Sequence, residues 1–245
     1  MNNAIKLDKN KLIIDLVLLK DLAFDDVMKH IKLTAYKNNI DVLYVISDVF
    51  DNEKDEFNYL KKIVKALKKD FNTFLMLKTG YFSSTNFFDS VFALGVDALS
   101  LKIENHEEAK KDFKTMIDYI TTLWPSGAVF TDVVAINCSD EDIKDKISFY
   151  SKLKVIPRIL KENDCSSGEP DLCIRDFIFK NLKKNGVSVK WVMNFELCGL
   201  IQQDSGTKKG KSKRKIAGKV AFELASLRRR LMVKEVQNSF DSASL

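Results

Sequence analysis

One apolar run that ends in a helix cap constrains this chain more than any other feature. Residues 128–136 read Ala-Val-Phe-Thr-Asp-Val-Val-Ala-Ile, and Asn137, Cys138 and Ser139 follow at once. Ser139 precedes Asp140, Glu141 and Asp142. A short hydroxyl side chain there caps a helix, and carboxylates in the first turn suit the positive end of its dipole. A continuous apolar strand feeding a capped helix is the repeating unit of a parallel α/β sheet, because both faces of such a strand lie under helices.

The same unit recurs along the chain. Apolar, β-branched runs predict strands over 12–19, 42–47, 73–78, 98–103, 128–136, 155–160 and 187–194. Helical spacing fills the intervals over 24–38, 53–69, 84–94, 106–123, 140–153 and 171–184, with Asn185-Gly186 ending the last. Alternation of this kind predicts an α/β protein, a (β/α) barrel of TIM type, partial or open, with six to seven parallel strands. No G-x-G-x-x-G follows the first strand, which argues against an open dinucleotide-binding sheet.

Charge divides the chain. Residues 204–245 hold 11 Lys or Arg against 4 Asp or Glu, a net +7, leaving 29 against 30 in residues 1–203. The barrel domain is therefore expected over 1–203, with a basic flexible linker over 204–215. A C-terminal basic amphipathic helix follows over 216–236, and a disordered tail over 237–245. Ile216, Val220, Leu224, Leu227 and Leu231 form the apolar stripe of that helix, which docks either back onto the barrel or onto a protein partner. Six of the eight residues 208–215 are basic, which suits nucleic acid, but no aromatic accompanies them for base stacking, so a solvated tether is the stronger reading. No run of about 18 uncharged apolar residues occurs, so no membrane span is expected. Residues 1–10 lack the apolar core of a signal peptide, and a cytoplasmic protein with reduced cysteines is expected.

The central stretch resembles the fifth strand and following loop of the radical S-adenosylmethionine superfamily, of the biotin synthase kind. There an apolar strand runs into Val-Gly-Leu-Gly-Glu and an acidic helix start; here Val134-Ala135-Ile136-Asn137-Cys138-Ser139-Asp140 takes that place. Residues 93–101 are similar to the stretch leading into the superfamily's fourth strand, and residues 24–48 to the helix and second strand after its cluster loop. The resemblance implies a barrel over about residues 11–195 and a site for S-adenosylmethionine, to which Asp48, Glu104, Asn137 and Cys138 correspond. The superfamily's C-x-x-x-C-x-x-C loop, which holds a 4Fe–4S cluster, is missing. Leu19 to Phe24 run straight from strand to helix, and no cysteine precedes Cys138. The Gly-Gly-Glu element is replaced by Ser47-Asp48-Val49. What the resemblance implies is thus a degenerate member, a pseudoenzyme without the cluster or any other metal.

Residues at the carboxyl ends of barrel strands read as site residues. Lys20, Asp48, Lys78, Glu104, Asn105, Asn137, Arg158, Asn194 and Glu196 hold such positions. Lys78 and Glu104 follow adjacent strands and are candidates for acid–base work, against an inert salt bridge. Arg158, a cation inside an apolar strand, needs Glu104, Asp132 or an anionic ligand. Cys138, Cys165, Cys173 and Cys198 could converge on a metal, but cysteine more often packs as a small hydrophobe. His30 and His106 have no second histidine at ligand spacing. No G-x-S-x-G, P-loop or H-E-x-x-H occurs. The leading expectation is an accessory or non-catalytic partner of a metabolic or cofactor-assembly enzyme. Its rivals are an active barrel enzyme binding an anionic metabolite and nucleic-acid binding through 208–215.

Overall fold

The structure is a computed structural model that describes residues 4–8, 11–19, 21–36, 38, 40–47, 54–80, 85–101, 110–134, 138–160 and 172–187. In chain order the elements are β1 (Ile5–Asp8), β2 (Lys11–Asp15), α1 (Phe24–Tyr36), β3 (Val42–Ile46), α2 (Lys54–Asp70), β4 (Phe74–Thr79) and α3 (Thr85–Ala93). They continue with β5 (Ala98–Leu101), α4 (Lys110–Leu123), β6 (Val129–Val134), α5 (Asp140–Lys152), β7 (Ile156–Leu160) and α6 (Leu172–Lys184). The seven strands form one sheet in chain order. β2–β3, β3–β4 and β6–β7 pair in parallel, whereas β1–β2 is antiparallel. The protein is therefore α/β with a mostly parallel sheet, and the described residues carry six helices. The rest of the strand predicted over 187–194 beyond Val187, and the helix predicted over 216–236, lie outside the described residues.

The chain forms two compact units, and among the described residues the boundary falls after Leu99. In the first, register aligns Leu12, Leu43 and Leu75 and, two residues on, Ile14, Val45 and Leu77; all six are fully buried. Right-handed crossovers between parallel strands in chain order place their helices on one face. The apolar sides of α1 (Val27, Ile31) and α2 (Leu60, Ile63, Val64, Leu67) are likewise fully buried and provide that cover. The alternate row is less covered: Lys11, Ile13, Asp15, Ile46, Phe74 and Lys78 are half-buried.

The first strand departs from expectation at both ends. It stops at Asp15, whose Oδ1 accepts from the Val17 N–H at 3.1 Å. This local bond turns the chain. Leu16 and Leu19 point inward, while Val17 and Leu18 are exposed. The apolar run over 12–19 is thus a strand followed by a turn. At the other end the chain doubles back: β1 pairs with β2 from Ile5↔Ile14 to Asp8↔Lys11, and Asp8 and Lys11 form a 2.9 Å ion pair. β1 takes the edge of β2 opposite β3, so β2 cannot itself pair with a later strand there.

In the second unit Ser139 caps α5 as expected. Its Oγ accepts from the Asp142 N–H, and the Asp142 carboxylate accepts from the Ser139 N–H at 3.1 Å, a reciprocal capping box. The Ser139 hydroxyl, donating to the Asp142 carboxylate at 2.7 Å, and then the Ser139 N–H hold that carboxyl below the usual carboxylate range. Both α5 and α6 end in a left-handed residue whose N–H groups close the last turn. At α6 this is Gly186 (φ +70°), with Val187 N–H donating to the Leu182 carbonyl at 2.9 Å. At α5 the same bond runs from Val155 to Tyr150 at 3.0 Å, but the left-handed residue is Lys154 (φ +61°).

Candidate functional site

The polar heart of the second unit lies inside its strands. Register sets Asp132 of β6 directly opposite Arg158 of β7, so their side chains leave the sheet on one face. The Arg158 Nε donates to Asp132 Oδ1 at 2.6 Å, an Nη of the same guanidinium forms an ion pair with that oxygen, and Nη2 also donates to Ser100 Oγ of β5 at 3.2 Å. Side-chain exposure is 10% for Arg158 and 7% for Asp132, and Ser100 is fully buried. Phe130 and Ile156, one step back on the same face, are buried and apolar. Removing water from both charges costs several kcal/mol per ion, and close pairing offsets it. Of the partners offered to Arg158 by the sequence, Asp132 takes it.

In the first unit a second row crosses the sheet at the carboxyl ends of its strands. Lys78 of β4 stands opposite Ile46 of β3, which stands opposite Asp15 of β2. Strand spacing puts Asp15 and Lys78 about 10 Å apart on the same face. Both are half-buried. The sequence names Lys78 as a candidate at this end of the sheet, and Asp15 is not among the candidates.

Cys138 sits just before the cap of α5, half-buried, with the Lys146 ammonium donating to its Sγ at 3.5 Å. Cys173, at the start of α6, is exposed. Asp48, Glu104 and Asn137 lie outside the described residues, as do Lys20, Asn105, Cys165, Asn194, Glu196, Cys198 and His106. The pairing of Lys78 with Glu104 therefore also lies outside the described residues. Among the described residues no group of three or more His, Cys, Asp or Glu could hold a metal ion.

The residues of the β2–α1 turn do not fit the superfamily's cluster. Leu16 to Ala23 contain no thiol, and Leu16 and Leu19 fill the space beneath the turn. Of the positions corresponding to the S-adenosylmethionine site, the described residues include Cys138 alone, which has a lysine ammonium at its sulfur.

Another carboxylate was missed altogether. Asp97, just before β5, accepts from the Leu75 N–H at 2.9 Å and from the Lys68 Nζ at 2.8 Å, while its own N–H donates to the Leu75 carbonyl at 2.8 Å. It ties the amino ends of two strands and the end of α2, away from the carboxyl ends where Asp15 and Lys78 stand. Its signal was local: an acid directly after a helix-ending Gly95-Val96 and before an apolar strand.

No family model, no curated protein and no solved structure matches the chain.

Proposed function

We propose that this chain is a (β/α)-barrel-type protein, similar to radical S-adenosylmethionine enzymes in frame, that works without a thiolate-held cluster. Its role in this reading is that of an accessory or non-catalytic partner of a metabolic or cofactor-assembly enzyme in the cytoplasm. One observation carries the reading. The turn from the first parallel strand to its helix, where the superfamily places three cysteines, is a short apolar corner made by Leu16 and Leu19. A sheet whose strands follow chain order agrees with a singly wound, barrel-like frame. The rival in which Arg158 grips an anionic metabolite loses ground, because such a ligand would compete with Asp132 for the guanidinium. No membrane role is part of the reading, and among the described residues no helix is long and apolar enough to cross a bilayer.

The test is anaerobic reconstitution with iron and sulfide, read by electron paramagnetic resonance and by iron content, alongside calorimetry with S-adenosylmethionine. The expected result is no stoichiometric cluster. A reducible cluster at one per chain would overturn the proposal, whichever cysteines held it. Saturable binding of S-adenosylmethionine without a cluster would keep the frame and give the partner role a ligand-sensing element.

A further inference from the structure

The outer surface of α1 and α2 carries a concentration of charge that neither the core nor the proposed function uses. From Phe57 to Lys69, α2 has five lysines and no acidic residue. Lys68 turns aside to Asp97. The other four, Lys61, Lys62, Lys65 and Lys69, fall within an arc of about 100° opposite the buried side and span about 12 Å of helix. Lys62, Lys65 and Lys69 are exposed. α1 lies alongside and parallel, since the Lys62 Nζ sits 4.0 Å over the Phe24 ring and Lys32 pairs with Asp70 at 2.9 Å. On its own crest α1 presents Lys29, Leu33 and Tyr36, with Tyr36 93% exposed and Leu33 53%, and the exposed carboxylate of Asp25 stands on the same side in the first turn, about three turns from Tyr36. Among the described residues, Lys32 is the one lysine of this surface in an ion pair.

We propose that the α1–α2 surface binds single-stranded nucleic acid, with the lysines along the phosphates and the Tyr36 ring as a stacking platform for a base. Three features favour this occupant over an acidic protein or a membrane. Lysine is depleted at protein–protein interfaces, where arginine and buried aromatics carry the energy. A row of ammonium groups beside one exposed aromatic is the combination that sequence-tolerant single-strand binders use. The exposed apolar area, Leu33 beside Tyr36, is too small for a stable protein interface or for inserting a helix into lipid. This surface is separate from the basic segment 208–215, and the two can be told apart.

The probe is a fluorescent oligouridylate, titrated by anisotropy with the full chain at several salt concentrations. Replacing Lys62, Lys65 and Lys69 together by Gln should weaken binding and lower the salt slope by about 2, at about 0.7 per lost contact. Circular dichroism should be unchanged, since all three side chains are exposed. Tyr36→Ala should weaken binding about 5- to 100-fold, with Tyr36→Trp near the parent, as loss and retention of a stacking face require. If the triple variant binds with the parent's affinity and slope, segment 208–215 carries the binding and the proposal is overturned. A Tyr36→Ala variant that binds like the parent overturns the single-strand assignment. So does an oligonucleotide that fails to bind while phosphatidylserine–phosphatidylcholine vesicles sediment the parent.

Discussion

Two buried carboxylates, Asp97 in the first unit and Asp132 in the second, are held in opposite ways. Asp97 stands at the amino end of β5, where it accepts from a backbone N–H and from Lys68, whose side chain is 25% exposed. Asp132 stands within β6, where it meets the guanidinium of Arg158, itself nearly buried and also bonded to a serine. The first bond satisfies a main-chain donor that every version of the fold must satisfy. The second joins side chains that an apolar pair of similar volume could replace without cost to the frame. A polar group the framework requires is therefore distinguishable from one it merely tolerates. Arg158, Asp132 and Ser100 belong to the tolerated kind.

Replacing Arg158 by Met should have the largest effect, because it strands the Asp132 charge in the interior. We expect a loss of about 3–5 kcal/mol in chemical denaturation. The double variant Arg158→Met, Asp132→Leu should recover most of that loss; if it does not, the distinction drawn from these two carboxylates breaks. Asp97→Leu comes next, at roughly 2–3 kcal/mol, since it removes a charge-assisted bond and leaves the Leu75 N–H unsatisfied. Here the matching double variant with Lys68→Met should recover little, because the orphaned donor belongs to the backbone. Equal recovery in the two cycles would show that both pairs are alike. The smallest effect compares the ends of α5 and α6. Lys154→Gly should raise stability by about 1 kcal/mol, read as a higher melting temperature, because a left-handed residue without a Cβ escapes the steric cost that Gly186 avoids at α6.

The frame was largely legible in the residues. Six of the predicted strands and all six predicted helices fall where the structure has elements, because continuous apolar runs and 3.6-residue spacing report burial directly. The Ser139 cap was readable down to its side chain. The failures share a cause: short segments whose structure is set by a partner elsewhere. β1 has only Ile5 and Leu7 to announce it, and Leu7 is exposed. The strand expected over 12–19 stops at Asp15, which ends it through its own carboxylate. Of the site, the partnership of Arg158 with Asp132 was one of three alternatives, and only register could choose among them. Ser100 carried no pattern that singles it out from its neighbours, and the signal of Asp97 was confined to its place between a helix-ending glycine and a strand.

The antiparallel β1 has one further consequence. Its outward row, Lys6 and Asp8 together with Leu7, is solvent-facing and mixed in charge. That makes it a poor template for another molecule's backbone, whereas the strand it shields, with Leu12 and Ile14 fully buried, would be an inviting one. Loss of the first ten residues would thus remove the buried Ala4 and Ile5 and also bare a ready seam for self-association, so that this short ribbon guards solubility as well as supporting the core.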